Sequence, residues 1–356
     1  MCSDHDHGDV RRLEPEIPAE TWRGEMLELE PVDEVVIVSV CDNTIDLLLA
    51  DEGPARRLPL GGEPIRVAPA PTLIEGKVED APIAQHGFSV LVMVRKDDEV
   101  HQILFDTGIS PEGCVESMAR LDLNPAEIEV IVCSHGHFDH ATGLSGLAAR
   151  LGRTNLPVLL HPEFWSQRRL AIPGREPFEL PTTSRRALKD AGFDIIENRQ
   201  PSFLFERSVL ITGEVDRTTP FEQGNPIHEA KRNDHWEPDP FILDDQALIL
   251  NVRDKGLVVL TGCGHAGVVN TARYARRLTG VDQLHLLMGG FHLSGRLFEP
   301  IIEPTVAALS ELDIDTIIPA HCTGWKATHT LAARMPDAFI QNSVGTTYTL
   351  VAAASG

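Results

Sequence analysis

The stretch Ser134-His135-Gly136-His137-Phe138-Asp139-His140 places four potential metal ligands, His135, His137, Asp139 and His140, within six residues. The apolar run 129–133 leads straight into it and reads as a buried strand; residues 141–151 after it read as a helix. Polar groups at the end of a core strand are costly to bury, so four together call for a partner that offsets their desolvation. Neutral imidazole suits zinc, iron and similar ions, and a carboxylate adds charge neutralisation. A tight loop here aims His135 and His137 to one side and Asp139 and His140 to the other, which suits a pair of cations.

Working outward, three more histidines stand just past buried strands. His265 follows the run 258–260, His292 follows 284–288, and His321 follows 316–318. In α/β architectures the C-terminal strand ends gather at the site, so all three are expected to converge on the cluster. His265 and His321 are read as ligands. His292 is open between ligand, substrate contact and proton donor. Cys263 and Cys322 sit beside these histidines and read as buried spectator thiols, with thiolate ligation as the alternative. Further strands are predicted at 35–40, 88–94, 102–105, 157–160, 247–252 and 346–350, and helices at 111–121, 184–191, 267–278 and 300–312. Two sheets packed face to face, with helices outside both, bury this pattern.

The 356 residues carry 31 basic and 53 acidic side chains, a net charge of −22. Such a surface repels phosphate backbones, which argues against nucleic acid or an anionic membrane as partner. A small anionic substrate stays compatible, because bound cations invert the local field. The six cysteines form no CxxC pair and read as reduced thiols in a cytoplasmic protein. Residues 1–34 hold eleven acids against three arginines and read as a solvated acidic tail, with His5 and His7 in it. Residues 51–82, rich in proline and glycine, read as a long loop, and 216–241 as a polar excursion. Arg168, Arg169, Arg185, Arg186 and Lys326 read as surface charges.

The chain resembles the metallo-β-lactamase superfamily, and within it the branch named after dihydropterin-(ribofuranosyl)aminobenzene-phosphate synthase. The resemblance rests on the histidine cluster, Gln85-His86-Gly87-Phe88-Ser89, Leu104-Phe105-Asp106-Thr107-Gly108, Gly262-Cys263-Gly264-His265, Gly289-Gly290-Phe291-His292 and His321-Cys322-Thr323-Gly324. It implies an αβ/βα four-layer sandwich, one domain over 35–356 with insertions near 51–82 and 163–240. It also implies two divalent metal ions, zinc first, with manganese or iron as alternatives, held by His135, His137, Asp139, His140, His265 and His321. Asp106 matches the superfamily's strand-end aspartate and is expected to accept the free N–H of a ligand histidine or to hold the cluster loop. Asp245 and the pair Asp42-Asn43 are assigned similar work. The superfamily's metal-bridging aspartate, in Thr-Gly-Asp, is replaced by Thr261-Gly262-Cys263. The usual histidine between cluster and bridge is not evident; Glu214 or Asp216 occupies that region. Asn270 and the helix start at Gly267 are open between holding a substrate anion and ordinary capping.

These readings point to hydrolysis of a small ester, lactone or phosphoester by a metal-bound hydroxide. Asp139 orients that hydroxide, His292 protonates the leaving group, and 163–240 forms a lid. Two alternatives are a transferase of the dihydropterin type and a non-catalytic metal-binding protein. Homo-oligomerisation stays open.

Overall fold

The computed structural model describes residues 24–59, 66–152 and 155–353. An eight-stranded sheet runs, edge to edge, Phe193–Glu197, Leu156–Leu160, Val130–Val132, Glu99–Phe105, Ser89–Lys96, Glu34–Cys41, Thr347–Val351 and Ala55–Arg56. A six-stranded sheet faces it: Ser202–Leu204, Val209–Ile211, Ala247–Val252, Gly256–Thr261, Leu284–Gly290 and Ile314–Ala320. Side chains from both inner faces, among them Ile37, Val92, Phe105, Leu250, Leu260 and Met288, form one buried cluster between the sheets. Helices Val268–Thr279, Ile302–Ser310 and Trp325–Arg334 cover the outer face of the six-stranded sheet. Gly113–Arg120, Leu144–Leu151 and Arg185–Asp190 cover the other. This is the four-layer sandwich expected from the sequence. The central strands are apolar on both faces because each sheet is sandwiched.

Parallel pairing aligns the strand ends that matter. Thr261 pairs with Gly289, and Gly290 with Ala320, so Cys263, His292 and His321 leave the six-stranded sheet along one edge. In the other sheet Phe105 pairs with Val132, and Val132 with Leu159, which puts Asp106 and the cluster loop side by side. The two edges are tied together: Gln246 donates from its backbone N–H to the Ser134 carbonyl (3.0 Å) and from its amide to the Cys133 carbonyl (2.9 Å). Gly262 lies so close that a Cβ there would sit 2.0 Å from Ser134 Oγ.

Three expectations change. Residues 24–33, read as tail, run along the body: Leu27 N–H donates to Leu278 O, and Val32, fully buried, bridges to Val252. Two of their acids are paired, Glu30 with Lys96 and Asp33 with Arg253. The acidity masked the apolar positions Leu27, Leu29 and Val32 between the charges. His5 and His7 lie outside the described residues. Within 51–82, Val67–Pro69 and Lys77–Glu79 pair as a small hairpin. The span 163–240 is not a single lid: 185–211 belongs to the two main sheets and their helices, while Arg168–Leu170, Phe178–Glu179, His228–Arg232 and His235–Pro238 form a separate four-stranded sheet.

Candidate metal centre

The cluster loop leaves Val130–Val132 and turns at once into the short helix Phe138–Ala141, with His137 extended (φ −74°, ψ 146°) as its first flanking residue. Gly136 permits this turn, because a Cβ there would lie 2.1 Å from the Phe164 carbonyl oxygen. Asp106, fully buried, bolts the loop down. It accepts from Ser134 N–H (2.7 Å), Ser134 Oγ (2.6 Å) and His140 Nδ1 (2.7 Å). Asp244, just before Ala247–Val252, accepts from Gly136 N–H (2.8 Å) and is itself paired with Arg168 (2.5 Å) of the four-stranded sheet. Arg168 is thus a buried strut, not a surface charge.

Three imidazole nitrogens converge on one side. His135 Nε2 lies 2.9 Å and His265 Nε2 3.1 Å from His137 Nδ1. On the other side, His321 Nε2 lies 3.2 Å from His140 Nε2 and 3.3 Å from an Asp139 oxygen. Cys263 stands between: its Sγ lies within 4.8 Å of the donors of His135 and His265, and equally of His140 and His321.

Electrostatics separates the two halves. Burial, then neighbouring rings, holds His135, His137 and His265 well below the ordinary imidazole value, so all three are neutral. Burial opposes charge on His140, but Asp106 and Asp139 outweigh it and push the ring up to about 9. Burial likewise opposes charge on Asp139, yet His140 and His321 hold its carboxyl far below the usual range. His321 sits at positive φ (47°), its N–H donated to Asp42 (2.7 Å) and its carbonyl accepting from Asn43 (2.9 Å). Asp42 and Asn43 hold this strand end.

Residues 86–321, more than half of the chain, match the family described as the Metallo-beta-lactamase superfamily. The chain belongs to that superfamily. A 7,8-dihydropterin-6-methyl-4-(beta-D-ribofuranosyl)-aminobenzene-5'-phosphate synthase of Methanocaldococcus jannaschii is 29% identical over 265 residues, 72% of this chain and 87% of the relative. An uncharacterized protein of the same organism is 29% identical over 248 residues, 68% of this chain and 86% of that one. The solved structure of Tm1679, titled a metal-dependent hydrolase of the beta-lactamase superfamily, superposes with a TM-score of 0.64 at 23% identity, covering 89% of this chain and 99% of its own.

Against this superfamily frame, the remaining predicted residues divide. His292, also at positive φ (46°), packs its ring 4.1 Å from His265, with Nδ1 3.3 Å from Cys263 Sγ. Asp245 accepts from Ala266 N–H (2.7 Å) and lies 4.0 Å from His135; burial pushes its carboxyl up to about 7. Glu214 is drawn into a different set, accepting from Arg199 (2.9 Å) and lying 3.2 Å from His161 Nε2. Asp216 pairs with Arg277. Asn270 accepts from the N–H groups of Thr218 and Thr219 and donates to Ala266 O, so its amide is spent on the excursion loop. The helix start at Gly267 is taken by the chain's own carboxylate, since Glu222 accepts from Val269 and Asn270 N–H at 2.9 Å each. Of the two readings of this helix start, capping is the one the contacts support.

Two histidines at the centre escaped the sequence reading. His86 Nε2 lies 3.5 Å from Asp139, at the exposed rim. His228, buried, packs its ring 4.9 Å from that of His137, tilted by 41°. Burial and then Arg168 push it down to about 3, so it is a neutral ring. Their signals are weak: His86 stands in the Gln85–Ser89 motif, and His228 in the polar stretch read as an excursion.

Proposed function

We propose that this chain is a two-metal hydrolase acting on a small ester, lactone or phosphoester. The observation that carries the reading is the convergence of imidazole, carboxylate and thiol donors from three strand ends, Val130–Val132, Gly256–Thr261 and Ile314–Ala320. Facing neutral nitrogens at 2.9–3.1 Å cannot all be hydrogen-bonded to one another, because His137 Nδ1 carries one proton at most. They are close to the ~3.3 Å that separates two nitrogens in a tetrahedral zinc shell. The residues fit the group.

His135, His137 and His265 would hold one cation, and Asp139, His140 and His321 the other. Cys263 Sγ lies within 4.8 Å of donors of both sets, so it would serve as a ligand rather than a spectator. Zinc suits this imidazole and thiolate set better than manganese. Divalent cations so held supply a Lewis acid for a carbonyl or phosphoryl oxygen and bring water's pKa toward neutrality. The chain's own residues do the positioning. Asp106 accepts a hydrogen bond from His140 Nδ1–H, which keeps that proton on Nδ1 and leaves Nε2 facing the other donors. Asp139 would orient the attacking group, and His292, packed 4.1 Å from the His265 ring, would take the role of proton donor.

The 29% identity to a named synthase supports a second reading, transfer to an arylamine with loss of a diphosphate. One experiment separates the two. Metal-loaded protein is assayed against ester, lactone and phosphodiester panels, and in parallel against a dihydropterin diphosphate with a ribosylaminobenzene phosphate. Turnover in the first set, abolished by chelation, supports the hydrolase; turnover only in the second replaces it. No turnover in either with two ions bound means a non-catalytic metal protein.

A further inference from the structure

Two adjoining hollows open from His265 and His292 toward the 216–241 excursion. The inner one is bounded by His265, His292, Phe298 and Ile301. The outer one, about 210 Å³, is walled by Phe221, Pro226, Pro238, Pro240, Phe298 and Ile301. Gly224, Phe298 and Ile301 belong to both, so the outer hollow narrows through the inner one, about 20 Å³, toward the cluster.

Its character departs from the rest of the surface. In a chain that is 24% charged and carries a net −22, none of the residues lining the outer hollow is ionisable. In the inner hollow the carboxylate of Glu222 is spent on Val269 and Asn270 N–H and on Thr219. The walls are also preformed. Asn225 N–H donates to Pro240 O (2.7 Å), and a Cβ on Gly224 would lie 2.2 Å from that same oxygen, so the 221–226 loop is seated on the strand end beyond Pro238. Arg217 bridges the two sides, donating to the carbonyls of His265 (2.9 Å) and Phe241. Three prolines and a pinned loop leave little conformational entropy to lose on binding. A preformed uncharged cleft running into a polar centre fits a ligand whose non-reacting part is apolar.

We infer that the substrate carries an uncharged alkyl or aryl group, which lies in this cleft while the scissile group sits over His265 and His292. The inference rests on the two-metal reading and narrows its substrate class: the anionic or polar portion is confined to the reacting end.

The test uses the full-length, zinc-loaded chain and straight-chain hydroxamates from acetohydroxamate to octanohydroxamate, with binding followed by calorimetry. Acetohydroxamate probes the metal centre alone. Each added methylene is expected to tighten binding about fourfold, from ~0.8 kcal/mol per buried methylene, until the cleft is full. Pro226→Glu and Leu297→Glu, at exposed rim positions, are expected to flatten that dependence while acetohydroxamate binds as before; two variants are used so that one misfolded protein does not decide the matter. Acetohydroxamate binding with no gain from chain length overturns the apolar cleft and leaves the metal centre standing. Failure of every hydroxamate to bind zinc-loaded protein overturns both.

Discussion

Replacing Asp106 by Asn tests the centre without touching a proposed ligand. Asp106 is fully buried and accepts three hydrogen bonds of 2.6–2.7 Å, two from Ser134 and one from His140 Nδ1. An asparagine keeps one oxygen, which serves Ser134 N–H. Where Oδ2 stood, it presents an N–H to the Ser134 hydroxyl and the His140 ring. The hydroxyl rotates to accept; the imidazole has to move its proton to Nε2, the atom aimed at His321. Removing the carboxylate also removes the largest influence holding His140 up near 9. Loss of a carboxylate behind a ligand histidine weakens metal binding by roughly 10–100-fold. The lost charge-assisted bonds cost ~1.5–3 kcal/mol each where they are not replaced, so the metal-free protein is expected to lose about 2–4 kcal/mol. Zinc affinity is read by competition with a chromophoric chelator, and stability by denaturant melts in excess chelator. Wild-type zinc affinity in a variant of lowered stability would show that Asp106 only braces the loop, and the proton-positioning argument would fail.

Other outcomes follow from the same geometry. Stripping the metals with chelator is expected to lower the melting temperature, and zinc at ~100 times its dissociation constant to restore about 2.7 kcal/mol per site, provided that the unfolded chain does not bind it; a melt indifferent to zinc contradicts the two-ion reading. The cobalt-loaded chain is expected to show thiolate-to-cobalt absorption in the near ultraviolet that Cys263→Ser removes and Cys322→Ser largely keeps; the opposite pattern exchanges their roles. For Glu163, burial opposes the charge, but Arg199 and Arg232 pull the carboxyl down to about 2. A depressed carboxylate stabilises the fold above its unfolded value and loses that contribution as pH falls from about 4.5 through about 2. With the arginines 44% and 36% exposed, the pair set is worth ~1 kcal/mol after screening. In the metal-free protein, Glu163→Gln should therefore be less stable at neutral pH and show a shallower acid decline; identical acid limbs for the two proteins would refute this.

Much of the fold could be read because its information is local. Runs such as 247–252 and 256–260 are apolar on both faces, and only a sandwiched strand needs that. The four donors at 135–140 are contiguous, and His265, His292 and His321 each follow a parallel strand whose end is placed by pairing with its neighbour. What escaped depends on contacts between distant segments. His228 looks like one more polar residue in a polar excursion. Its burial against His137 arises only because its strand pairs with Arg168–Leu170, some sixty residues earlier, and because Arg168 is locked to Asp239 and Asp244. The helix start at Gly267 was correctly placed as a source of free N–H groups, but Glu222, which fills it, lies 45 residues upstream. Cys263 illustrates the same limit at the centre itself. Beside a histidine it reads as a small buried hydrophobe, and its reach to both halves of the site appears only when His135 and His140, from the opposite sheet, stand on either side of it. The excursion thus contributes a buried ring at the centre, the cap of the Gly267 helix and the apolar cleft.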